Sequence, residues 1–287
     1  ALALAMCLTL AACGNGSGSG SGQTADTSST AQSGGSQSAG DASSQEGQEE
    51  TVADVQAVKD EGTLYVGITN FAPMDYKEEG SDEWIGFDAD MAKLFAESLG
   101  VAVEFQEITW DYKVEELNSR AIDCVWNGMT LTEDVLTAME CSNPYFSNGQ
   151  VVIVPADKAG DYQTEESLAD LQFAVENGSA GQEELDRLGY SYTPVQDQAT
   201  ALMEVAAGTS DAAVVDYLMA AAMTGEGTSY EDLAYTVQLN SEEYGVGFRK
   251  GSDLVDAFNQ FWAEKVADGT VLEVATTYGL QDAVVLE

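Results

Sequence analysis

Two aromatic residues of this chain each follow a predicted strand, at a place where side chains project from the edge of a sheet. They are Phe71 in NFAPMDY and Trp110 in ITWDY. Aromatic faces hold flat or cationic groups, and a contact between a cation and a ring contributes about 0.5–2 kcal/mol. A single Phe or Trp is more often part of a core, but two at equivalent strand ends favour the walls of a binding site.

The stretch from Ile122 to Val135, IDCVWNGMTLTEDV, predicts a buried strand, a tight loop and the start of a helix. We expect Asn127 and Gly128 to end the strand and Thr132 to be the N-cap of the helix. Such a junction directs free backbone N–H groups into a crevice, which suits an anionic ligand group. The alternative is an ordinary loop between a strand and a helix.

Two further strand ends carry acids. Glu176 precedes the small-residue loop Asn177 to Ser179, which leads into another predicted helix. Asp216 directly follows the apolar run AAVV. It is either the N-cap of the next helix or the acceptor for the ammonium group of a ligand.

The charge of the chain excludes several functions. It has 10 Lys plus Arg against 50 Asp plus Glu, a formal charge of −40, and no His. This charge repels nucleic acid and anionic membrane surfaces, so we expect no nucleic-acid partner. The lack of His removes the commonest general base and metal ligand. This excludes zinc chemistry and Ser-His catalysis, and we expect no catalytic residue, no metal and no cofactor.

The first residues predict export. Residues 1–13, ALALAMCLTLAAC, resemble the end of a signal peptide with a lipobox, in which Cys13 is the lipidated residue. A chance Cys in a cleaved signal peptide is the alternative. Residues 14–50, rich in Gly, Ser, Thr and Gln, predict a disordered tether. We expect a lipid anchor on the outer face of the bacterial cell membrane, without a spanning helix.

From Val52 onward, short apolar runs alternate with helical periodicity, which predicts an α/β fold with mainly parallel sheets. The predicted strands are 63–69, 101–107, 122–127, 150–154, 172–176, 191–195, 211–215, 234–238 and 244–249. The clearest predicted helices are 88–99, 111–119, 131–138, 179–188, 197–207, 216–223, 252–268 and 270–278.

The spacing shows two similar sets of strands and helices, which predicts two lobes. Lobe 1 is expected to contain residues 51–147 and 245–287, and lobe 2 residues 148–244. The last strand and the last two helices lack sheet neighbours in the second set, so they return to lobe 1. The chain then crosses between the lobes near 145–149 and 240–244, and these crossings are the predicted hinge.

Cys124 and Cys141 are the only cysteines in the predicted folded part. Pairs of Cys in exported proteins often form disulfides, so a bond between these two is one interpretation. Cys124 lies in a strand that is predicted to be buried, and a small buried thiol is an equally consistent interpretation.

The chain resembles the polar amino-acid-binding family of type II solute-binding proteins of ABC importers, across roughly residues 55–280. The match lies in the phrases GTLYVGITNFAPMDY, WIGFDADMAKLFAESLG, SRAIDCVWNGMTLT, CSNPYFSNGQVVIV, AAGTSDAAVVDY and YGVGFRKGSDL. The resemblance implies a two-lobed type II periplasmic-binding-protein-like α/β fold that closes over a ligand and docks on a membrane permease. It implies capture of an amino acid or related small amine, and we expect a monomer.

The resemblance also implies roles for particular residues. They are the ligand sandwich at Phe71 and Trp110, the carboxylate contacts at Gly128 and Thr130, the second-lobe anion loop at Ser179, and the α-ammonium contact at Asp216. With Asn127 and Glu176, these residues form the expected ligand-binding set.

One position departs from the family pattern. After the MTLT motif the family carries an Arg that grips the ligand carboxylate, and here Val135 stands in its place. Charge-assisted bonds of this kind contribute about 1.5–3 kcal/mol each. The change favours a net-cationic or zwitterionic amine that binds mainly through its ammonium group. The alternative is a neutral amino acid whose carboxylate is held by Thr130 and by N–H groups after Gly128 and around Ser179.

An enzyme is the second functional hypothesis, because some relatives in the family are exported dehydratases of the cyclohexadienyl or arogenate type. Without His, such an enzyme would depend on Glu176 or Asp216 as its acid or base. Turnover of prephenate or arogenate separates this hypothesis from simple binding.

Overall fold

The computed structural model describes residues 52–286, so the predicted signal-peptide end with Cys13 and the predicted tether lie outside the described residues. The strands are β1 (Thr63–Ile68), β2 (Ala102–Glu107), β3 (Cys124–Thr130), β4 (Glu140–Cys141), β5 (Phe146–Asn148), β6 (Gln150–Pro155), β7 (Gln172–Glu176), β8 (Ser191–Val195), β9 (Ala212–Asp216), β10 (Leu233–Gln238) and β11 (Glu242–Phe248). The α-helices are α1 (Asp54–Glu61), α2 (Phe87–Leu99), α3 (Lys113–Asn118), α4 (Glu133–Ala138), α5 (Ala180–Leu188), α6 (Gln198–Ala207), α7 (Tyr217–Met223), α8 (Leu254–Asp268) and α9 (Thr270–Thr277).

Lobe 1 is built on a six-stranded sheet with the order β2-β1-β3-β11-β4, in which β5 also pairs with β11. Strand β1 runs parallel to β2 and β3, whereas β11 runs antiparallel to β3, β4 and β5. The carboxyl ends of β1 and β3 therefore lie at one edge, where Thr69 and Thr130 line a common cavity.

Lobe 2 is built on a five-stranded sheet with the order β10-β6-β9-β7-β8. Strand β7 is parallel to β8 and β9, and β6 is antiparallel to β9 and β10. The expectation of mainly parallel sheets is therefore wrong, since both sheets are mixed. The reason is that strands next to a crossing enter from the other lobe and need no helical crossover to reverse direction.

The chain passes between the two sheets twice, at Gly149 between β5 and β6 and at residues 239–241 between β10 and β11. The strands on the lobe 1 side of these crossings pair with each other, and Glu242 lies opposite Asn148. The predicted two-lobed α/β fold with two crossings is confirmed. Within residues 52–286, none of the helices combines the length and the apolar character needed to span a bilayer.

An aromatic cluster fills lobe 1 behind the strand that lines the cavity. The ring of Trp126 in β3 lies 4.9 Å from that of Phe258 in α8, and Tyr145 lies 5.3 Å from Trp262, measured between ring centroids. Phe95 of α2 packs against the same group at 5.6 Å from Phe258. Such edge-to-face pairs contribute about 0.5–1.5 kcal/mol each beyond their buried area, so β3 is held rigidly from behind.

Strand β3 is longer than predicted, because Asn127 and Gly128 lie within it rather than at its end. Gly128 adopts φ +54°, and the register of β3 against β11 shifts between Gly245 and Gly247. A Gly at positive φ lets the strand bend and continue. The predicted N-cap at Thr132 is confirmed, since its hydroxyl accepts a hydrogen bond from the N–H of Val135 at 3.3 Å.

The disulfide between Cys124 and Cys141 is not formed, and both residues are free thiols. Their strands, β3 and β4, lie on either side of β11, where Cys124 pairs with Phe248 and Cys141 with Gly247. Strands are about 4.8 Å apart, so the two Cα atoms are separated by about 10 Å, beyond the reach of a disulfide of about 7 Å. Their side chains also point to opposite faces, because adjacent residues of β11 alternate.

Candidate ligand-binding site

A cavity of about 340 Å³ lies between the carboxyl ends of the strands of the two lobes. All eight residues of the expected ligand-binding set line it: Phe71, Trp110, Asn127, Gly128, Thr130, Glu176, Ser179 and Asp216. The structure thus brings together residues that are up to 145 positions apart in the sequence, although several of them have different partners from those expected.

Phe71 and Gly128 form one wall of the cavity. A Cβ atom at Gly128 would lie 2.3 Å from Cε1 of Phe71 and 3.1 Å from Cε2 of Tyr244. Phe71 is only 2% exposed and meets Tyr244 edge-on, with ring centroids 6.4 Å apart. The absence of a side chain at position 128 is therefore what allows Phe71 to pack against the strand.

Replacing Gly128 with Ala is expected to cost stability and to displace Phe71. The positive φ costs about 1–2 kcal/mol for an L-residue, and the clash with Phe71 adds about 1–3 kcal/mol. Gly100→Ala is the matched control, because Gly100 has φ +77° but open space around its would-be Cβ atom. Urea unfolding of both variants checks this, and equal losses of stability would contradict the packing argument.

The side chain of Asn127 stabilises lobe 1 and has no free hydrogen-bonding group for a ligand. Its Oδ1 accepts from the N–H and hydroxyl of Thr69 at 3.0 and 2.7 Å, and its Nδ2 donates to Thr69 O and Asp75 Oδ2 at 3.1 and 2.8 Å. A carboxamide has two donors and two acceptor sites, so this side chain is fully used. It positions the strand end without offering a contact.

Gly128 does not present its N–H group to the cavity as expected. That N–H donates to Oδ2 of Asp88 at 2.7 Å, and the same oxygen accepts from the hydroxyl of Tyr145 at 2.8 Å. Asp88 is fully buried, and burial raises its pKa to about 7, although these two hydrogen bonds oppose the rise. The Gly128 N–H is therefore used by a carboxylate of the protein and is not free for a ligand carboxylate.

Thr130 also has a protein partner. Its hydroxyl donates to Oε1 of Glu242 at 2.9 Å, and this oxygen accepts two more hydrogen bonds, from Asn148 Nδ2 at 2.6 Å and Gln150 Nε2 at 2.8 Å. Glu242 starts β11, and sequence reasoning missed it. The hydroxyl expected to hold a ligand carboxylate thus stabilises an acid beside one of the crossings.

Asp216 stands at the N-cap position of α7, but its side chain makes no capping hydrogen bond to the helix. Its carboxylate accepts from Asn148 Nδ2 at 2.5 Å, from Gln150 Nε2 at 2.6 Å and from Nε2 of Gln198. Burial, followed by repulsion from Glu242, raises the pKa of Asp216 well above its ordinary value. Three amide groups therefore fix the orientation of this carboxylate in the wall of the cavity. A binding site for a cation needs a carboxylate that is fixed in this way.

Glu176 is the second buried acid of lobe 2. It is 3% exposed, lines the cavity, and its Oε1 has no hydrogen-bond partner in the described part of the chain. Burial raises its pKa well above the ordinary value, and repulsion from Asp216 and Asp197 adds to this effect. A buried oxygen without a donor costs about 1–3 kcal/mol, so Glu176 is poorly stabilised by the protein alone.

Ser179 caps helix α5, since its hydroxyl accepts from the N–H of Gln182 at 3.2 Å. The predicted second-lobe loop is therefore present, and helix geometry leaves the first N–H groups of α5 without intrahelical partners. Asp111 reaches this loop from lobe 1: its Oδ1 lies 2.9 Å from where a Cβ atom of Gly178 would be. The start of α5 thus already has an acid of the protein beside it.

Lys113 is a cation of the cavity that sequence reasoning missed. It is 8% exposed, and its Nζ donates to the carbonyl oxygens of Gly178 at 3.0 Å and Trp110 at 3.3 Å. The ammonium also lies 4.9 Å from the centroid of the Trp110 ring. Burial lowers the pKa of Lys113, while Glu176 and other acids oppose this. Because Gly178 belongs to lobe 2, the ammonium links the two lobes across the cavity.

The lining of the cavity is strongly acidic. Six of its side chains are carboxylic acids and one is basic: Asp111, Asp134, Glu176, Glu183, Asp186, Asp216 and Lys113. Val135, where the family Arg was expected, is part of the same lining. The residues missed from the sequence, Lys113 and Glu242, lie outside the strand-end loops. For Glu242 the available sequence signal was an acid near a predicted crossing, in NSEEY, together with the amide side chains of the other crossing, in FSNGQ.

Two α/β lobes with a polar cavity between their sheets are the architecture of a class of solute-binding proteins. The model of the bacterial extracellular solute-binding proteins, family 3, matches residues 64–281, and the chain belongs to this family.

Relatives and a solved structure agree with this assignment. The chain is 31% identical to the L-cystine-binding protein TcyJ of Escherichia coli (strain K12), over 75% of this chain and 81% of that protein. It is 28% identical to the arginine-binding extracellular protein ArtP of Bacillus subtilis (strain 168), over 70% and 79%. The arginine-bound form of truncated ArgBP from T. maritima superposes with a TM-score of 0.68 at 32% identity, covering 73% and 99%.

Both named relatives are binding proteins, which supports a binding role over the dehydratase hypothesis. The protein is therefore an extracytoplasmic solute-binding protein of an amino-acid-binding family, and not an enzyme.

Proposed function

We propose that this protein captures an amino acid or a related small amine outside the cytoplasm and delivers it to the permease of an ABC transporter. The observation that carries the proposal is Asp216, a buried carboxylate oriented by three amides in a cavity between two lobes. A fixed, desolvated carboxylate suits a ligand ammonium group, because the charges attract strongly in a site with little water.

The proposal includes a hinge at the two crossings. Gly149 and residues 239–241 are the segments that join the sheets, so a change of their backbone angles would move lobe 2 relative to lobe 1. A permease that recognises the closed arrangement would then bind the ligand-loaded protein in preference to the ligand-free one. Anchoring through Cys13 is also part of the proposal, and the LAAC sequence followed by Gly and Ser residues supports it.

Asp216→Asn is expected to weaken binding of the best ligand by at least about 30-fold, because breaking a buried charge pair by removing one partner costs about 2–5 kcal/mol. The ligand is first found by a thermal-shift screen of the amino acids and small amines, and affinities are then measured by calorimetry. The variant removes repulsion from Glu242, so we expect its ligand-free melting temperature not to fall.

Asp232→Asn is the matched control, because Asp232 is an exposed acid of the same lobe. It should bind the ligand like the unmodified protein. Retained affinity in Asp216→Asn would contradict the role of this acid, and a screen in which no amino acid or amine binds would contradict the proposed function.

A further inference from the structure

We propose that the cavity takes an amine with two cationic groups and no carboxylate, of the diamine or guanidino-amine class. One cationic group binds at Asp216, which shares amide donors with Glu242, and the other binds at Glu176. The inference rests on the proposed capture of small amines by this cavity, and it specifies which amines the cavity prefers.

The first argument is that two of the groups expected to hold a ligand carboxylate already donate to carboxylates of the protein. The N–H of Gly128 donates to Asp88 at 2.7 Å, and the hydroxyl of Thr130 donates to Glu242 at 2.9 Å. The carboxylate of Asp111 lies beside the loop that starts α5. At Gly128 or Thr130 a ligand carboxylate would have to displace one of these acids, and at the start of α5 it would lie near Asp111, in a lining that is already negative.

The second argument concerns the cation of the lining. Lys113 donates to two carbonyl oxygens, those of Gly178 and Trp110. It is the basic residue among those that line the cavity, and Val135 offers no charge. Since a basic side chain holds a desolvated carboxylate most strongly, the cavity lacks the charged group that would select an α-amino acid by its carboxylate.

The third argument is that Glu176 needs a donor. Its Oε1 is buried, lines the cavity and has no partner among residues 52–286. Three side-chain amides donate to Asp216, and one of them, on Gln198, also opposes the rise in the pKa of Glu176, but Oε1 of Glu176 has no donor among residues 52–286. An ammonium or guanidinium group carries three to five donors, so a second cationic group of the ligand would satisfy Glu176 and neutralise its charge.

The fourth argument is the pairing of Asp216 with Glu242. Both acids accept a hydrogen bond from the same Nδ2 of Asn148, at 2.5 and 2.6 Å. Two carboxylates that share one amide are close enough to repel each other strongly when both are ionised. A cationic group at Asp216, which lines the cavity, offsets that repulsion, whereas a neutral ligand does not.

The size of the cavity agrees with a small amine. Its volume of about 340 Å³ is near the lower end of the range of about 300–1,000 Å³ for ligand pockets. Phe71 supplies an apolar wall for the methylene chain that joins two cationic groups.

Calorimetry with the full chain and two matched pairs of ligands tests the inference. The pairs are L-arginine with agmatine, and L-ornithine with 1,4-diaminobutane, which differ only by the carboxylate, and L-glutamine is added as a neutral amino acid. We expect at least one decarboxylated amine to bind at least about tenfold more tightly than its parent amino acid and than L-glutamine. We expect Glu176→Gln to weaken the binding of that amine by at least about tenfold.

Glu166→Gln is the control, because Glu166 is an exposed acid of lobe 2 and its loss removes the same charge. It should leave the affinity for the amine unchanged. Tighter binding of an amino acid than of its amine overturns the inference but leaves the proposed function intact. So does an amine whose affinity is the same in Glu176→Gln. If no amino acid or amine binds, both the inference and the proposed function are overturned.

Discussion

Replacing Arg249 with Met is expected to lower the free energy of unfolding by about 3–5 kcal/mol, the cost of breaking a buried ion pair by removing one partner. Arg249 is 7% exposed and donates to Asp54 Oδ2 at 3.0 Å, Asp123 Oδ1 at 3.2 Å and the carbonyl oxygens of Leu117 and Ile122 at 3.2 and 2.7 Å. Met fills much of the volume but removes the Arg249 donor from both carboxylates and from the carbonyl oxygen of Ile122; the carbonyl oxygen of Leu117 still accepts from the N–H of Arg120.

Arg120→Met is the control for this experiment. Arg120 pairs with the same Asp54 at 2.8 Å, but its side chain is 53% exposed. Exposed ion pairs contribute about 0–1 kcal/mol, so this variant should lose no more than about 1 kcal/mol. Urea unfolding measures both. Similar losses in the two variants would show that burial of Arg249 is not what stabilises the junction of α1, β3 and β11.

The ligand-free protein is expected to become less stable as the pH rises from 5.5 to 8. Burial raises the pKa of Asp75, Asp88, Glu176 and Asp216 above their ordinary values, to about 7 for Asp88. The folded state then binds more protons than the unfolded state between the two pKa values, so stability falls as these acids ionise. For Asp88 alone the expected loss over this range is about 2 kcal/mol.

Asp88→Asn separates this effect from the general repulsion among acids. Asn can still accept from the N–H of Gly128, and it does not ionise. We expect the variant to be more stable than the unmodified protein at pH 8 and to have a flatter pH dependence. Asp82→Asn removes an exposed acid of the same lobe and should leave the slope unchanged. A steep slope in Asp88→Asn that equals the original one would rule out Asp88 as its source.

Most of the regular structure could be predicted from the sequence, because the apolar runs of the inner strands and the spacing of helical faces are local signals. Strands β4 and β5, with two and three residues, are too short to show a period. Helix α1 was missed because only Asp54 and Val58 of its eight residues are buried. The reversed direction of β6 and β11 depends on the path between the lobes, which no local pattern records.

The positions of the site residues could be predicted, but their partners could not. Phe71, Trp110 and Asp216 follow strands, and strand ends meet at a sheet edge whatever the rest of the fold does. The partner of the Gly128 N–H is Asp88, on a helix 40 positions earlier in the chain, and that pairing depends on how α2 packs on β3. Lys113 was missed for the same reason, since its acceptor on Gly178 belongs to the other lobe.

The central position of β11 in the sheet of lobe 1 has a consequence for the order of folding. Lobe 2 uses only strands between Gln150 and Gln238, so its sheet is continuous in the chain. Lobe 1 needs β11 between β3 and β4, and the Arg249 contact to Ile122 spans 127 positions. Contacts of such separation form slowly, and synthesis proceeds from the N-terminus. The lobe that begins first is therefore completed last, and its apolar strand β3 remains without one neighbour until Phe248 has been made.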